Sequence, residues 1–313
     1  MIREAAKKTL PANTRHALRA ELSMLRTRGV REFTRWNALL VDAAVRERMV
    51  RRRYDAMSEQ QLIATKRSDT VFIFGSGASL NDITAAEWAH IAGHDTFGFT
   101  AFIYQRWVRV GYHLIRGGIE GSLVWRAYAE DFCNSLNSNP YFDNTILIMQ
   151  GEYFAMFANQ LLGYRLIRPR TRIFRYQTAR GEGPPTRSFA EGIRHNAGTL
   201  CDSVNVASCM GWKHIVLAGV DLYDARYYWL PPDKTYGVDA AGLMTPVDVN
   251  HRGNRFDEVH NTARNGVVLT MGAWRDHLER EQGISLSVFN PRSLLADVMP
   301  VYRVNDPHRT ALG

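Results

Sequence analysis

The sequence predicts an α/β domain with a doubly wound, mostly parallel sheet from residue 69 onward, preceded by a basic helical extension over 1–68. Three features predict it. Short apolar, β-branched runs recur along the chain, stretches of helical periodicity separate several of them, and the first run ends directly in the glycine turn GSGASL at 75–80. Strands that alternate with helices pair in parallel, because the crossover helix returns the chain to the edge it left. The length of 313 residues, with 45% hydrophobic and 22% charged residues, is ordinary for a globular chain and excludes collagen-like, coiled-coil and disordered classes.

The extension comes first. Residues 1–68 hold 16 Lys and Arg against seven Asp and Glu, an excess of nine, while the whole chain carries +8, so the remainder is close to neutral. Leu18, Leu22 and Leu25 form one apolar row, and Leu39, Leu40, Ala43 and Ala44 another. These rows predict two helices, over 12–30 and 32–62. Two readings fit: attraction to an anionic lipid surface, or a solvated helical cap packed on the main domain. Nucleic acid is excluded as a partner, since aromatics are sparse here and no nucleic-acid-binding pattern is present.

Strands are then expected at 70–74, 95–100, 112–116, 145–149, 214–218 and 285–289, with helices over 84–92, 151–163, 188–211 and 269–282. An Arg-rich stretch, 164–187, reads as irregular. Its Arg165, Arg168, Arg170, Arg172 and Arg175 either line a path for an anionic acceptor or form a solvated edge. Residues 224–259 lack periodicity and carry Pro231, Pro232, Gly237, Gly242, Pro246 and Gly253, which reads as a lid. Cys133, Cys201 and Cys209 form no C-x-x-C pair, so neither a disulfide framework nor a cysteine zinc site is expected. No apolar run reaches the ~20 residues of a membrane span, and MIREAAKKTL lacks the apolar core of a signal peptide. A cytoplasmic protein is the expectation.

Four motifs carry candidate chemistry. In Gly75-Ser76-Gly77-Ala78-Ser79-Leu80 the glycines let backbone N–H groups approach phosphate or sugar oxygens; otherwise they only make a tight strand-to-helix turn. Leu80 stands where a dinucleotide fingerprint has its third glycine, and no acid ends the second strand, which argues against NAD. In HIVLAGVDLY at 214–223, Asp221 and Tyr223 sit at a strand tip, the ligand edge of open α/β sheets, with Tyr227 and Tyr228 close behind. Phenol donors stabilise charge on a leaving phosphate; a turn-capping role fits Asp221 equally. His260, in EVHNT at 258–262, has the chemistry of a general base, and His251 competes for that role. In NPRSLL at 290–295, Ser293 either binds a phosphate or base, or caps a short helix.

Together these residues resemble the bacterial sialyltransferases of glycosyltransferase family 42 and their wider superfamily of nonulosonic-acid transferases. GSGASL resembles the family's G-x-G-P-S-L, with Ala78 for the proline. TLCDSVNVASCMGWKHIVLAGVDLY, 199–223, is similar without a gap to the family's helix–strand block, and NPRSLL to its C-P-x-S-L-L. Thr100 and Asn196 stand where the family has asparagine and arginine. The resemblance spans 69–300. It implies a Rossmann-like, GT-A-like single domain with a lid. It also implies transfer of a sugar acid from its CMP ester to a glycan hydroxyl with inversion, and no obligatory cofactor or metal. By resemblance, Gly75, Gly77, Ser79, Thr199 and Leu200 hold CMP; Ser76, Ala78, Thr100, Asp221 and Ser293, at the same turns and strand tips, are the further candidates for binding the substrate or CMP. Tyr223 and either Tyr227 or Tyr228 steady the departing phosphate, and His260 is the base. The expected partners are a nucleotide-sugar donor, a glycan or lipid-linked glycan acceptor, an anionic membrane surface at 1–68, and a second copy of the chain in a homo-oligomer. CMP-Kdo as donor, an ATP-dependent diphosphokinase-like phosphotransferase, and a non-enzymatic membrane-surface scaffold are the alternatives.

Overall fold

Glycine sets the first break in the structure, a computed structural model that describes residues 12–116, 125–152, 155–223, 225–238, 244–248 and 260–304. Helix α1 (Ala12–Val50) leaves helical geometry at Gly29, with φ 79° and ψ 171°, a conformation open to a residue without a Cβ. Two helical segments meet there, two residues before the break at 31 that the sequence predicts. The second ends at Val50 rather than near 62. Arg51–Arg53 make one 3-10 turn, and strand β1 (Asp55–Ala56) follows. Ser58 and Gln61 close a capping box on α2 (Glu59–Ile63).

The main sheet adds β2 (Thr70–Phe74), β3 (Asp95–Phe99), β4 (Tyr112–Ile115), β5 (Ile146–Gln150), β6 (Arg172–Tyr176), β7 (His214–Ala218) and, after a separate hairpin of β8 (Lys234–Val238) and β9 (Met244–Asp248), β10 (Ser285–Val288). Its order is β1-β6-β5-β4-β3-β2-β7-β10, and every pairing in it is parallel. The helices are α3 (Ala85–Ala92), α4 (Trp125–Ser138), α5 (Met156–Gly163), α6 (Thr199–Met210), α7 (Asn261–Arg264) and α8 (Val267–Gln282).

A parallel sheet is covered on both faces, and alternate residues of β2 show it. Val71 and Ile73 join Val204, Ala207, Met271 and Leu278, from α6 and α8, on one face. Phe72 and Phe74 join Leu80, Trp88, Phe102 and Phe132 on the other. The chain runs outward from β2 through β3, β4, β5 and β6, then crosses back to β7 and β10. The strand order therefore reverses between β2 and β7, which opens a crevice at their carboxyl ends.

Besides the early end of α1, four elements differ from the sequence expectation. The helix expected over 188–211 begins only at Thr199, after a 3-10 turn at Phe189–Glu191. β6 falls inside the stretch read as irregular. α4 lies where no helix was expected. The β8–β9 pair is antiparallel and forms part of the segment read as an aperiodic lid. No helix among the described residues is long and apolar enough to cross a membrane.

Candidate active site

Two glycine turns are laid against each other where the strand order reverses. The Gly75 N–H donates to the Ala218 carbonyl at 2.8 Å, and the Gly77 N–H to the Gly219 carbonyl at 2.7 Å. A Cβ on Gly75 would stand 2.5 Å from the Gly219 oxygen, and one on Gly77 would run into the Asp221 carboxylate. Glycine at 75 and 77 is thus a demand of close packing between the tips of β2 and β7.

Asp221 ties three distant motifs together. Its carboxylate is buried, with 3% exposure. It accepts from the Ser79 N–H at 2.9 Å, from the Ser79 hydroxyl, and from Asn290 Nδ2 at 3.0 Å. Its own carbonyl accepts from the Leu294 N–H at 3.2 Å. Ser293 donates its hydroxyl to the Val220 carbonyl at 2.6 Å and accepts from the Leu295 N–H at 3.2 Å. The motifs at 75–80, 214–223 and 290–295 are therefore one hydrogen-bonded unit.

Beside this unit lies a cavity of about 490 Å³. Gly75, Ser76 and Gly77 line it from β2, and Phe99, Thr100 and Ala101 from β3. Residues 219–222 line it from β7, and 197–200 from the start of α6. Arg226, Tyr227 and Trp229 close one side, with His260, Thr262 and Asn265 nearby. No side chain caps α6 at Gly198, so its first-turn N–H groups give that wall the positive end of a helix dipole. Thr100 and Leu222 hold φ at 49° and 66°. Left-handed backbone of this kind at non-glycine residues costs of order 1–3 kcal/mol and gathers at functional sites.

Of the residues singled out in the sequence, Gly75, Ser76, Gly77, Thr100, Thr199, Leu200, Asp221, Tyr227 and His260 line the cavity. Ala78, Ser79, Tyr223, Tyr228 and Ser293 do not. Ser79 and Ser293 spend their hydroxyls on the turn itself. Tyr228 is buried at 7% exposure; its hydroxyl donates to the Ala101 carbonyl at 3.1 Å, and its ring packs on Phe102 and Trp107. Tyr223 is half-buried just past the β7 tip. His251 lies outside the described residues, as does most of 239–259. None of the five arginines between 165 and 175 lines the cavity; Arg168, Arg170 and Arg172 border a separate hollow, with Thr145 and Thr171 at the starts of β5 and β6.

His260 is held at both ends. Its N–H donates to the Leu222 carbonyl at 3.0 Å, and its Nδ1 accepts from the Thr262 N–H at 3.2 Å. In the neutral ring that second bond sets the proton on Nε2.

Sequence reasoning missed a charged network beside the cavity. Asp202, in the first turn of α6, is fully buried. Arg116, past the end of β4, donates to its Oδ1 at 2.5 Å; His195 Nδ1 meets its Oδ2 at 2.5 Å; the Tyr176 hydroxyl donates to Oδ1 at 3.2 Å. Burial works most strongly against the charge of Arg116, but Asp202, Tyr176 and Glu152 together outweigh it, so the guanidinium pKa is raised. Burial, then the same carboxylate, pushes the Tyr176 phenol well above its ordinary value. The network anchors the start of α6 to the tips of β4 and β6. The one signal in the sequence was an acid placed inside the apolar face of a helix.

No family model matches this sequence, and no curated protein matches it. Among solved structures the chain is similar to the sialyltransferase CstII from Campylobacter jejuni, described in complex with a substrate analogue, cytidine-5'-monophosphate. The likeness has a TM-score of 0.41 at 14% identity, and covers 75% of this chain and 85% of that one.

Proposed function

We propose that this chain transfers a sialic-acid-like sugar acid from its CMP ester to a hydroxyl of a glycan or lipid-linked glycan, inverting the anomeric carbon. One observation carries the reading. The three motifs on which the family resemblance rests meet through Asp221, and two of them, 75–80 and 199–223, line one cavity that Tyr227 and His260 share.

In this reading the glycine turn and the bare start of α6 receive the nucleotide phosphate, since backbone N–H groups at a helix N-terminus favour an anion. The acceptor oxygen attacks the anomeric carbon as the bond to the phosphate oxygen breaks. The electron pair leaves with CMP, and the phenol of Tyr227 at the cavity wall stabilises the charge that develops there, with Tyr223 turning in from just past the β7 tip as the second donor. His260 takes the acceptor proton. For Nε2 to accept it, the ring must exchange its Thr262 bond and carry its resting proton on Nδ1. Sialic, legionaminic and pseudaminic acids and Kdo all travel as CMP esters and are the donors to screen. Residues 69–313 carry the transferase site, with 1–68 as an extension, although β1 and α2 of that extension are built into the body. A lipid-linked acceptor places the work at the cytoplasmic face of a membrane.

The test is CMP release and glycan product from a panel of CMP-activated sugar acids with mixed acceptors. Release with one donor, abolished in His260→Ala while CMP affinity is retained, supports the reading. A folded protein that releases no CMP from any donor overturns it. Full transfer by His260→Ala removes His260 as the base.

A further inference from the structure

One face of α1 is packed and the opposite face is bare. On the packed side Leu40 and Ala43 are buried, at 4% and 0% exposure. α5 crosses so closely that a Cβ on Gly163 would stand 2.8 Å from the Arg46 Cβ and 2.9 Å from the Glu47 backbone nitrogen. The Tyr164 hydroxyl donates to Asp42 at 2.6 Å, and Arg175 reaches Glu47 at 3.5 Å.

On the bare side Val41, Val45 and Met49 recur every four residues, exposed at 50%, 51% and 80%. That spacing sets them in one line along the helix. With Val30, at 70%, they are four of the six exposed large apolar side chains among the described residues. Ala38 and Thr34, also exposed, continue the line toward Val30. Arg31, Arg35 and Arg48 are exposed beside it, and the exposed Arg51–Arg53 turn follows at its end. Two acids of the helix are engaged on the packed side: Asp42 by Tyr164 and Arg46, Glu47 by Arg175 and Arg51.

We propose that this face docks on an anionic lipid bilayer. Val41, Val45 and Met49 enter the boundary between headgroups and acyl chains, and the arginines around them meet lipid phosphates. The chemistry favours lipid over a protein partner. The apolar line is aliphatic and has no Trp or Tyr anchor of the kind that dominates protein interfaces. Its flanks are arginine, whose long stems reach outward from a buried helix face to the headgroups. A helix with such a face lies in the interface plane rather than spanning the bilayer. The proposal is independent of the substrate of the cavity.

The experiment is co-sedimentation of the full chain with vesicles of phosphatidylcholine alone and of phosphatidylcholine mixed with phosphatidylglycerol, at low and high salt. The wild type is expected to pellet only with the mixed vesicles and to be released as salt shortens the Debye length to about 3 Å. Two variants separate the parts: Val41→Ser with Val45→Ser and Met49→Ser, and Arg48→Glu with Arg52→Glu. Each is expected to weaken binding about tenfold or more. All altered side chains are exposed, and a thermal melt checks that both variants fold as the wild type does. A wild type that ignores the mixed vesicles, or variants that bind as it does, overturns the proposal. So does a sedimentation-velocity dimer that the apolar variant dissociates while vesicle binding stays unchanged, since the stripe would then face a second copy of the chain.

Discussion

Asp221→Asn is the sharpest perturbation of the site. The substitution keeps the shape of the side chain and replaces one acceptor oxygen with a donor. The carboxylate accepts three hydrogen bonds, two from Ser79 and one from Asn290, at 3% exposure. Whichever way the amide turns, its NH2 faces at least one of those donors. One charge-assisted bond is lost, worth about 1.5–3 kcal/mol, and a buried donor is stranded, at about 1–3 kcal/mol. Removing a buried charge returns part of this, so a net loss of about 3 kcal/mol is expected. Urea denaturation followed by circular dichroism measures it, with an unchanged m-value as the check that the end states are the same. CMP affinity, measured where both proteins are folded, is expected to fall with stability, because the 75–80 turn loses its anchor. A loss below about 1 kcal/mol with CMP affinity intact would refute the keystone role, since a lost bond and a stranded donor together exceed that. Intact stability with lost affinity would mean that Asp221 touches the ligand directly.

Other consequences follow from single residues. Tyr227→Phe and Tyr223→Phe are each expected to lower turnover by about one to two orders of magnitude with little change in CMP affinity, as removal of one transition-state donor does; unchanged turnover excludes that phenol from the mechanism. His113 is fully buried among Phe132, Phe142 and Phe102, and burial lowers its pKa from 6.5 to about 3. The folded ring stays neutral while the unfolded ring takes a proton below about pH 6.5, so stability is lost as pH falls from there toward 3. Between pH 7 and 5 the wild type should lose about 2 kcal/mol more than His113→Leu. Equal losses in urea titrations at the two pH values would show that His113 is not the group responsible.

The sheet was legible where strands are buried on both faces. TVFIF and HIVLA, the cores of β2 and β7, are continuous apolar runs because helices cover them above and below. β6 was hidden by its arginines. RIFRY reads as polar until α1 and α5 supply Glu47 and Asn159 for Arg175, at 3.5 and 2.6 Å. α4 hides its pattern differently: Ala129, Phe132, Cys133 and Leu136 keep helical spacing and are buried, but Glu130, Asp131, Asn134 and Ser135 lie between them. At the site, the glycine turn was readable because close approach of two backbones demands glycine. The engagement of Asp221 was not, because Ser79 and Asn290 lie 142 and 69 residues away. The Asp202 network was hidden in the same way toward Arg116 and Tyr176, 86 and 26 residues away, although His195 is only seven residues off.

The most direct test of a CMP site in this cavity is a thermal-shift titration of the whole chain against CMP, CDP, UDP, ATP with magnesium, and NADH. A ligand that binds only the folded state raises the melting temperature by mass action. Stabilisation by CMP that saturates with concentration is expected, and none by ATP with magnesium or NADH. Stabilisation by ATP with magnesium, or no response to any nucleotide, would contradict a CMP site and turn attention to a phosphotransferase or a non-enzymatic scaffold.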